Sequence, residues 1–264
     1  MGTSKKNILI VLYVLMIFCA FGIIASVIVY ERNNTHYVAG KEEYQSLADE
    51  VFINTDTEAA KIFEQTVLQA DQEPSFSLPD RIDFDRLMEQ NKDTAAWITD
   101  GYQINYPIVQ GSDNEFYLNH LFSGEVSKVG CIFMDYRNES DFSDKNTVLY
   151  GHNMQDGSMF ETLMNYKEQE YYETHPTLYL YTPAGDYTVE LFAGVVVEDS
   201  PFIIQLRFSD SQEYLDYINA ARTGSTFDSD EVLTENDQIV TLATCTYETG
   251  NARYLLFGRL VETK

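Results

Sequence analysis

Gln238-Ile239-Val240-Thr241-Leu242-Ala243-Thr244-Cys245 is an apolar, β-branched run that stops on a cysteine. Thr246-Tyr247-Glu248-Thr249-Gly250 follows it, polar and ending in glycine, and Arg253-Tyr254-Leu255-Leu256 opens a second apolar run. The pattern reads as strand, loop and strand, a hairpin that returns Arg253 beside Cys245. Short runs of the same character recur upstream, at 95–98, 106–110, 130–134, 146–150, 177–181 and 186–197. Together with 238–244 and 253–261 they make eight expected strands, broken by Gly, Asp, Asn and Pro. Helical interruptions are expected at 114–121, 159–164, 167–174 and 211–221, and Asp83 is a candidate N-cap for a helix beginning at Phe84. Many modest strands and few helices predict a mostly-β domain, a barrel or sandwich decorated by helices.

A cysteine after an apolar run is more often a small buried hydrophobe than a nucleophile. Cys245 differs because it ends a strand, where a side chain can project into a cleft and gain thiolate character. Upstream, the strand 146–150 is left through Gly151-His152-Asn153, and an imidazole suits proton transfer near neutral pH. Cys245, His152 and Arg253 are therefore sufficient parts for thiol acyl transfer, with nucleophile, proton carrier and oxyanion or substrate donor. Whether they meet in space is beyond periodicity. The other histidines carry less: His36 lies in a polar segment, His120 ends an expected helix and His175 precedes Pro176. No calcium-loop spacing, HExxH or CxxC pair is present, so no metal or cofactor is expected.

The N-terminus speaks to compartment. Residues 8–30, ILIVLYVLMIFCAFGIIASVIVY, are almost wholly apolar. At about 1.5 Å per residue such a helix spans roughly 35 Å, enough to cross a bilayer with some tilt. Lys5 and Lys6 precede it, so the bias of basic residues predicts a cytoplasmic tail at 1–7, a transmembrane anchor at 8–30 and everything later outside the cell. A cleaved signal peptide is the rival reading; Val38-Ala39-Gly40 is a passable cleavage site, but the apolar run is too long for one. Residues 31–79 read as an extracellular stalk and linker, with helix-compatible residues at 58–65 and a linker at 71–75. The compact domain is expected over 80–264, large enough to form a core without staples. Three cysteines make no disulfide framework: Cys19 lies in the expected anchor, and Cys131 in an apolar stretch. A net charge of −25 excludes a nucleic-acid partner, whose phosphates demand a basic face, and disfavours lying flat on anionic lipid.

At this point the residues resemble a known family. Thr241-Leu242-Ala243-Thr244-Cys245 is similar to the TLxTC signature of sortases, Tyr150-Gly151-His152-Asn153 to their histidine motif, and Arg253 to their arginine. Tyr106-Pro107-Ile108-Val109-Gln110-Gly111, Asp113-Asn114-Glu115-Phe116-Tyr117-Leu118-Asn119, the run from Gly130 to Asn138 and Gly157-Ser158-Met159-Phe160 narrow the resemblance to class B. It extends from about Ile82 to the C-terminus. It implies a closed eight-stranded β-barrel with N-terminal helices and a helix in the connection before the last strands, here 211–221.

The resemblance also implies a reaction. Cys245 attacks the threonine carbonyl of a C-terminal sorting signal, NPQTN- or SPKTG-like, on a surface protein. Arg253 donates to the peptide or the developing oxyanion, and His152 protonates the leaving amine. A peptidoglycan-precursor amine then resolves the thioacyl enzyme; a pilin lysine in that role would make a pilus polymerase. By motif position Asn114, Leu118, Ala243, Thr244 and Ile203 or Ile204 would line the peptide groove. Ala243 stands where several class B members have Ser, and Thr246-Tyr247 where some have an acidic residue. The readings set against transpeptidation are a thiol hydrolase and a non-catalytic surface-binding module with a structural cysteine.

Overall fold

Segments rich in Val, Ile, Leu, Tyr and Thr become strands, and eight of them close on one another. The computed structural model describes residues 3–53, 78–197, 204–245 and 252–263. In chain order the elements are α1 (Thr3–Val51), β1 (Phe52–Ile53), β2 (Arg81–Ile82), α2 (Phe84–Gln90), β3 (Thr94–Thr99), β4 (Asn105–Val109), β5 (Ile132–Met134) and β6 (Asn146–Tyr150). Then follow α3 (Gln169–Thr174), β7 (Thr177–Tyr181), β8 (Asp186–Val197), α4 (Ser211–Thr223), β9 (Ile239–Cys245) and β10 (Arg253–Glu262). Short 3₁₀ turns occupy Phe116–Leu118 and Glu161–Lys167.

The barrel runs β10-β8-β7-β3-β4-β5-β6-β9, closed by β9 pairing with β10. All its pairs are antiparallel except β4 with β5 and β6 with β9. Several strands are buried along their whole length: Thr94–Thr99 shows no exposed residue. Such strands are covered on both faces, so they read as apolar runs rather than as an alternation. Over β8, β9 and β10 the cover is α4, which turns Tyr214, Tyr217, Ile218 and Ala221 inward at helical spacing. These pack against Phe192, Val195, Ala243, Leu255 and Phe257. Asp210 caps α4 by accepting from the Glu213 amide at 2.9 Å, and Asp83 caps α2 from the Arg86 amide at 3.1 Å.

Two expected helices, 114–121 and 159–164, are only 3₁₀ turns. In the first the carbonyls are taken elsewhere: Tyr117 O accepts from the Cys131 amide at 2.9 Å, and Leu118 O binds the His152 ring. A helix needs those oxygens for its own i+4 amides. The strand expected at 130–134 begins only at Ile132, because Gly130 sits at φ +65°, outside the β region.

Two compact units divide the chain, Met1–Ala39 and Gly40–Lys264. Within the second, the last turns of α1 bury Tyr44, Leu47, Ala48 and Val51, a helical stripe. The Tyr44 hydroxyl donates to Gly130 O at 2.5 Å, and the Val51 carbonyl accepts from the Asp83 amide at 2.9 Å. The compact unit thus reaches back to Gly40, inside the segment expected to be a stalk, because the end of α1 carries a buried stripe on one face. The rest of that segment, 54–77, with the stretches at 58–65 and 71–75, lies outside the described residues. Among the described residues no helix is long and apolar enough to cross a membrane; in the run expected to do so, 8–30, many of the side chains lie outside what is described.

Leu47→Ala should destabilise the barrel unit by about 2–5 kcal/mol, the usual range for a buried leucine. Chemical denaturation of the full-length protein in detergent measures this, and a loss under about 0.5 kcal/mol would mean that the end of α1 does not pack as described.

Candidate active site

Strand register assembles three of the residues singled out by sequence. In the parallel pair β6–β9, Tyr150 lies opposite Ala243, and the Gly151 amide continues the ladder to Ala243 O at 3.2 Å. Two residues further along each chain stand His152 and Cys245. In the antiparallel pair β9–β10, Cys245 lies opposite Arg253. Positions 245 and 253 are therefore paired directly, and 152 lies two residues past the end of the strand on the other side, adjacent strands running about 4.8 Å apart. The loop 246–251 lies outside the described residues. Arg253 is exposed.

His152 is half-buried and fixed from several sides. Its Nε2 lies 2.7 Å from the Leu118 carbonyl oxygen. A carbonyl only accepts, so Nε2 carries a hydrogen, and in the neutral ring Nδ1 is the nitrogen that can take a proton. The His152 carbonyl accepts from the Phe160 amide at 2.9 Å, and Asn153 bridges to Met159, closing a short loop. The glycine before the histidine is required by space: a Cβ on Gly151 would lie 2.5 Å from Ile132 Cδ1 and 2.6 Å from Phe160 Cδ2. Gly130 is required by space and conformation, since a Cβ there would meet Tyr117 O at 2.7 Å, Leu118 O at 2.9 Å and His152 Cδ2 at 3.1 Å.

A barrel with Cys, His and Arg on adjacent strand ends invites comparison. A family model described as the sortase domain matches residues 99–261. Sortase B of Listeria monocytogenes is 38% identical over 180 residues, which span 66% of this chain and 72% of that protein. The chain belongs to the class B sortases. This makes it a cysteine transpeptidase and removes the reading as a non-catalytic binding module. Two solved structures agree in fold. The Staphylococcus aureus sortase B–substrate complex has a TM-score of 0.67 at 30% identity, covering 85% of this chain and 100% of that one. Sortase B complexed with triglycine has a TM-score of 0.69 at 28% identity, covering 88% and 100%.

Beside the three strand ends, this sortase holds a cluster that motif reading passed over. Asp135, just after β5, has a fully buried carboxylate. It accepts from Arg137 Nε at 2.9 Å and Nη2 at 2.8 Å, from Asn114 Nδ2 at 3.0 Å and from the Tyr150 hydroxyl at 3.0 Å. Burial pushes its pKa up, but the donors, led by the Arg137 side chain, outweigh burial and hold it below the ordinary carboxylate range. Burial first, and then the Asp135 charge, raise the Tyr150 phenol well above its usual pKa, so it stays a donor. Tyr150 also feels the charge of Arg253, which links the cluster to the third strand end. The signal in the sequence was a charged pair, Asp135 and Arg137, two residues apart directly after an apolar strand.

The residues expected to line a peptide groove divide. The Asn114 side chain is spent on the cluster, its Oδ1 accepting from the Tyr136 amide at 3.0 Å. Leu118 contributes its carbonyl to His152. Ala243 and Thr244 are buried in β9. Ile204 packs against the α4 core and, with Arg137 and the segment 205–207, lines a cavity of about 560 Å³. Ile203 lies outside the described residues. Cys131 is core, its thiol pushed up to about 12 chiefly by burial and so unsuited to nucleophilic work. Among the described residues, no group of three or more His, Cys, Asp or Glu side chains could hold a metal.

Two measurements probe this arrangement. Because the folded-state pKa of Asp135 is depressed, its stabilisation is present at neutral pH and lost as pH falls through that folded value. Asp135→Asn should cost about 2 kcal/mol at pH 7, and the gap to wild type should close in acid, as read by calorimetry across pH; a gap independent of pH would count against the buried ion pair. Gly130→Ala should lower kcat/KM about tenfold or more by displacing the Leu118 carbonyl and His152, since a small misplacement of a reacting group is costly. Unchanged steady-state kinetics would show that this contact does not hold the imidazole.

Proposed function

We propose that this transpeptidase is held by its N-terminal helix in the cell membrane of a Gram-positive bacterium, its tail cytoplasmic and its barrel outside. There it joins surface proteins to the cell wall. Cys245 as thiolate attacks the carbonyl carbon of the threonine in a C-terminal sorting signal, forming a C–S bond. Arg253 donates to the oxygen that becomes negative, a contact worth most at the tetrahedral stage. His152 gives its Nδ1 proton to the nitrogen of the leaving peptide as the C–N bond breaks. The neutral amine of a peptidoglycan precursor then attacks the thioester, His152 takes its extra proton, and the thiolate is released with an amide in its place.

The observation that carries this reading is the register at one barrel end, with positions 152, 245 and 253 on neighbouring strands. The Nε2–Leu118 bond adds support, because it leaves Nδ1 as the exchanging nitrogen. The relatives add the two substrate classes: one solved sortase B is a substrate complex and another a complex with triglycine, a peptide bearing a primary amine. Asn114, Arg137 and Tyr150 then form a braced wall for the sorting peptide, with the Ile204 cavity beyond it and Ala243 and Thr244 beneath. Apolar residues 8–30 and the two lysines before them support the anchor.

The test uses fluorogenic peptides carrying NPQTN, SPKTG and LPETG motifs with mass spectrometry of the enzyme. Wild type should cleave one of the first two and carry a thioacyl adduct on Cys245. Cys245→Ala should show neither, and Arg253→Ala should lose about 10²–10³ in kcat, as for loss of an oxyanion donor. Cleavage by Cys245→Ala would sink the assignment. A product that remains the free acid even with amine supplied would favour hydrolysis, and acceptance of pilin lysine alone would favour a pilus polymerase. Resistance of the full-length protein to alkaline carbonate extraction of membranes tests the anchor.

A further inference from the structure

The barrel end that carries His152 also carries the start of β4. β4 is parallel to β5, and β5 is antiparallel to β6, so β4 begins where β6 finishes. Along this end the order is β4, β5, β6, β9, β10. Position 245 thus has Arg253 on one flank, and His152 followed by the start of β4 on the other. A second cavity, of about 380 Å³, lies at the start of β4, lined by Tyr102 and Tyr106, by Lys41 and Tyr44 of α1 and by Asp156 of the loop after His152.

This cavity shares walls with the histidine. Val129 lines it and is followed by Gly130, which leaves no room for a Cβ against the His152 ring. Met159 also lines it, bridges to Asn153, and donates its amide to the Tyr106 hydroxyl at 3.0 Å. Three strand spacings separate β4 from β9, about 14 Å at 4.8 Å each. The lining is mixed. An exposed ammonium at Lys41 and an exposed carboxylate at Asp156 stand beside tyrosine faces and backbone groups. Such a site suits a polar peptide with free carboxylates rather than a lipid or an apolar helix.

We infer that this cavity binds the body of the acceptor, a branched wall-stem peptide whose side-chain amine reaches the thioester past His152. The inference rests on the transpeptidase mechanism above. In that mechanism the incoming nitrogen forms the amide as the C–S bond breaks, and its extra proton passes to His152. The nitrogen must therefore stand beside His152 when it attacks, so the remainder of its molecule extends on the histidine side of Cys245. Arg253 on its own flank, and below the strand ends Tyr150 and the Ile204 cavity, which pack on one cluster with Ala243, are left to the sorting peptide. The leaving peptide, protonated by the same imidazole, vacates the histidine side before the acceptor enters, while the acylated part of the sorting signal stays on the other side of the nucleophile.

Length gives the test. Triglycine attacks through its α-amine and extends at most about 11 Å, short of the cavity, whereas the tetrapeptide attacks through its lysine amine and adds that side chain to two further residues of about 3.6 Å each, roughly 13 Å in all. Full-length protein in detergent is acylated with its sorting peptide, and KM is measured for triglycine and for the stem tetrapeptide L-Ala-D-iGlu-L-Lys-D-Ala. Lys41→Ala, Tyr102→Ala and Asp156→Asn should each raise the tetrapeptide KM several-fold, and the triple variant at least tenfold, with the triglycine KM within twofold of wild type. Adduct formation and melting temperature are read in the same samples. An unchanged tetrapeptide KM with normal adduct formation would overturn the cavity assignment alone. So would an equal rise for both acceptors, which would signal a displaced His152 loop. Absence of the Cys245 adduct in wild type would overturn the mechanism itself, and the assignment with it.

Discussion

Everything at the working end of this enzyme depends on one piece of backbone pairing, the parallel ladder between β6 and β9. Neither strand is near the other in sequence. Hydrogen bonding from Asn146 opposite Ile239 to Tyr150 opposite Ala243 holds them in a single register. A slip of one residue would turn every side chain of a strand to the other face. Here that would separate the histidine from the cysteine and bury the wrong residues under α4. Barrel closure removes the freedom to slip, because β9 is pinned on its other edge by β10 along its whole length, from Ile239 to Cys245.

Around that frame the site is stiffened by groups that do no chemistry. The Leu118 carbonyl fixes the imidazole, and it is available only because the 3₁₀ turn at Phe116–Leu118 does not continue into a helix. Gly130 and Gly151 let the backbone approach the ring and Phe160 where any side chain would collide. Asp135 joins three segments through one buried carboxylate, and its charge is tolerated because the Arg137 guanidinium binds it in a bidentate fashion and three neutral donors, the Arg137 amide, Asn114 and Tyr150, complete its shell. These constraints are what positioned acyl transfer requires, since a thiol and an imidazole have intrinsic reactivity but no intrinsic geometry.

The end of α1 belongs to this scheme as well. Tyr44 bonds the carbonyl of Gly130, the residue packed against His152, and faces the second cavity. A segment that looked like spacer therefore contributes both to the wall behind the histidine and to a pocket beside it. Although the chain as a whole is strongly acidic, the charged groups around the cleft and the second cavity are mixed in sign: Arg253, Arg137, Lys41, Asp135 and Asp156.

Much was legible in the chain itself. The eight barrel strands and α4 stood out because strands buried on both faces appear as apolar runs, and because Tyr214, Tyr217, Ile218 and Ala221 keep helical spacing. The three reactive residue types were legible because each sits at the edge of such a run, and the signature around Cys245 named the family. The first 3₁₀ turn was misread as a helix because propensity is local, whereas the fate of the Tyr117 and Leu118 carbonyls depends on residues 131 and 152. Asp135 looked like one acid among many, since nothing local says that its carboxylate is buried or which distant donors reach it. The packed end of α1 passed as stalk because its stripe is only four residues and its partners lie beyond residue 80. Strands, available chemistry and family are written in short stretches of chain and could be read there. Register, tautomer and burial came only with the folded barrel, because contacts between residues far apart in the chain set them.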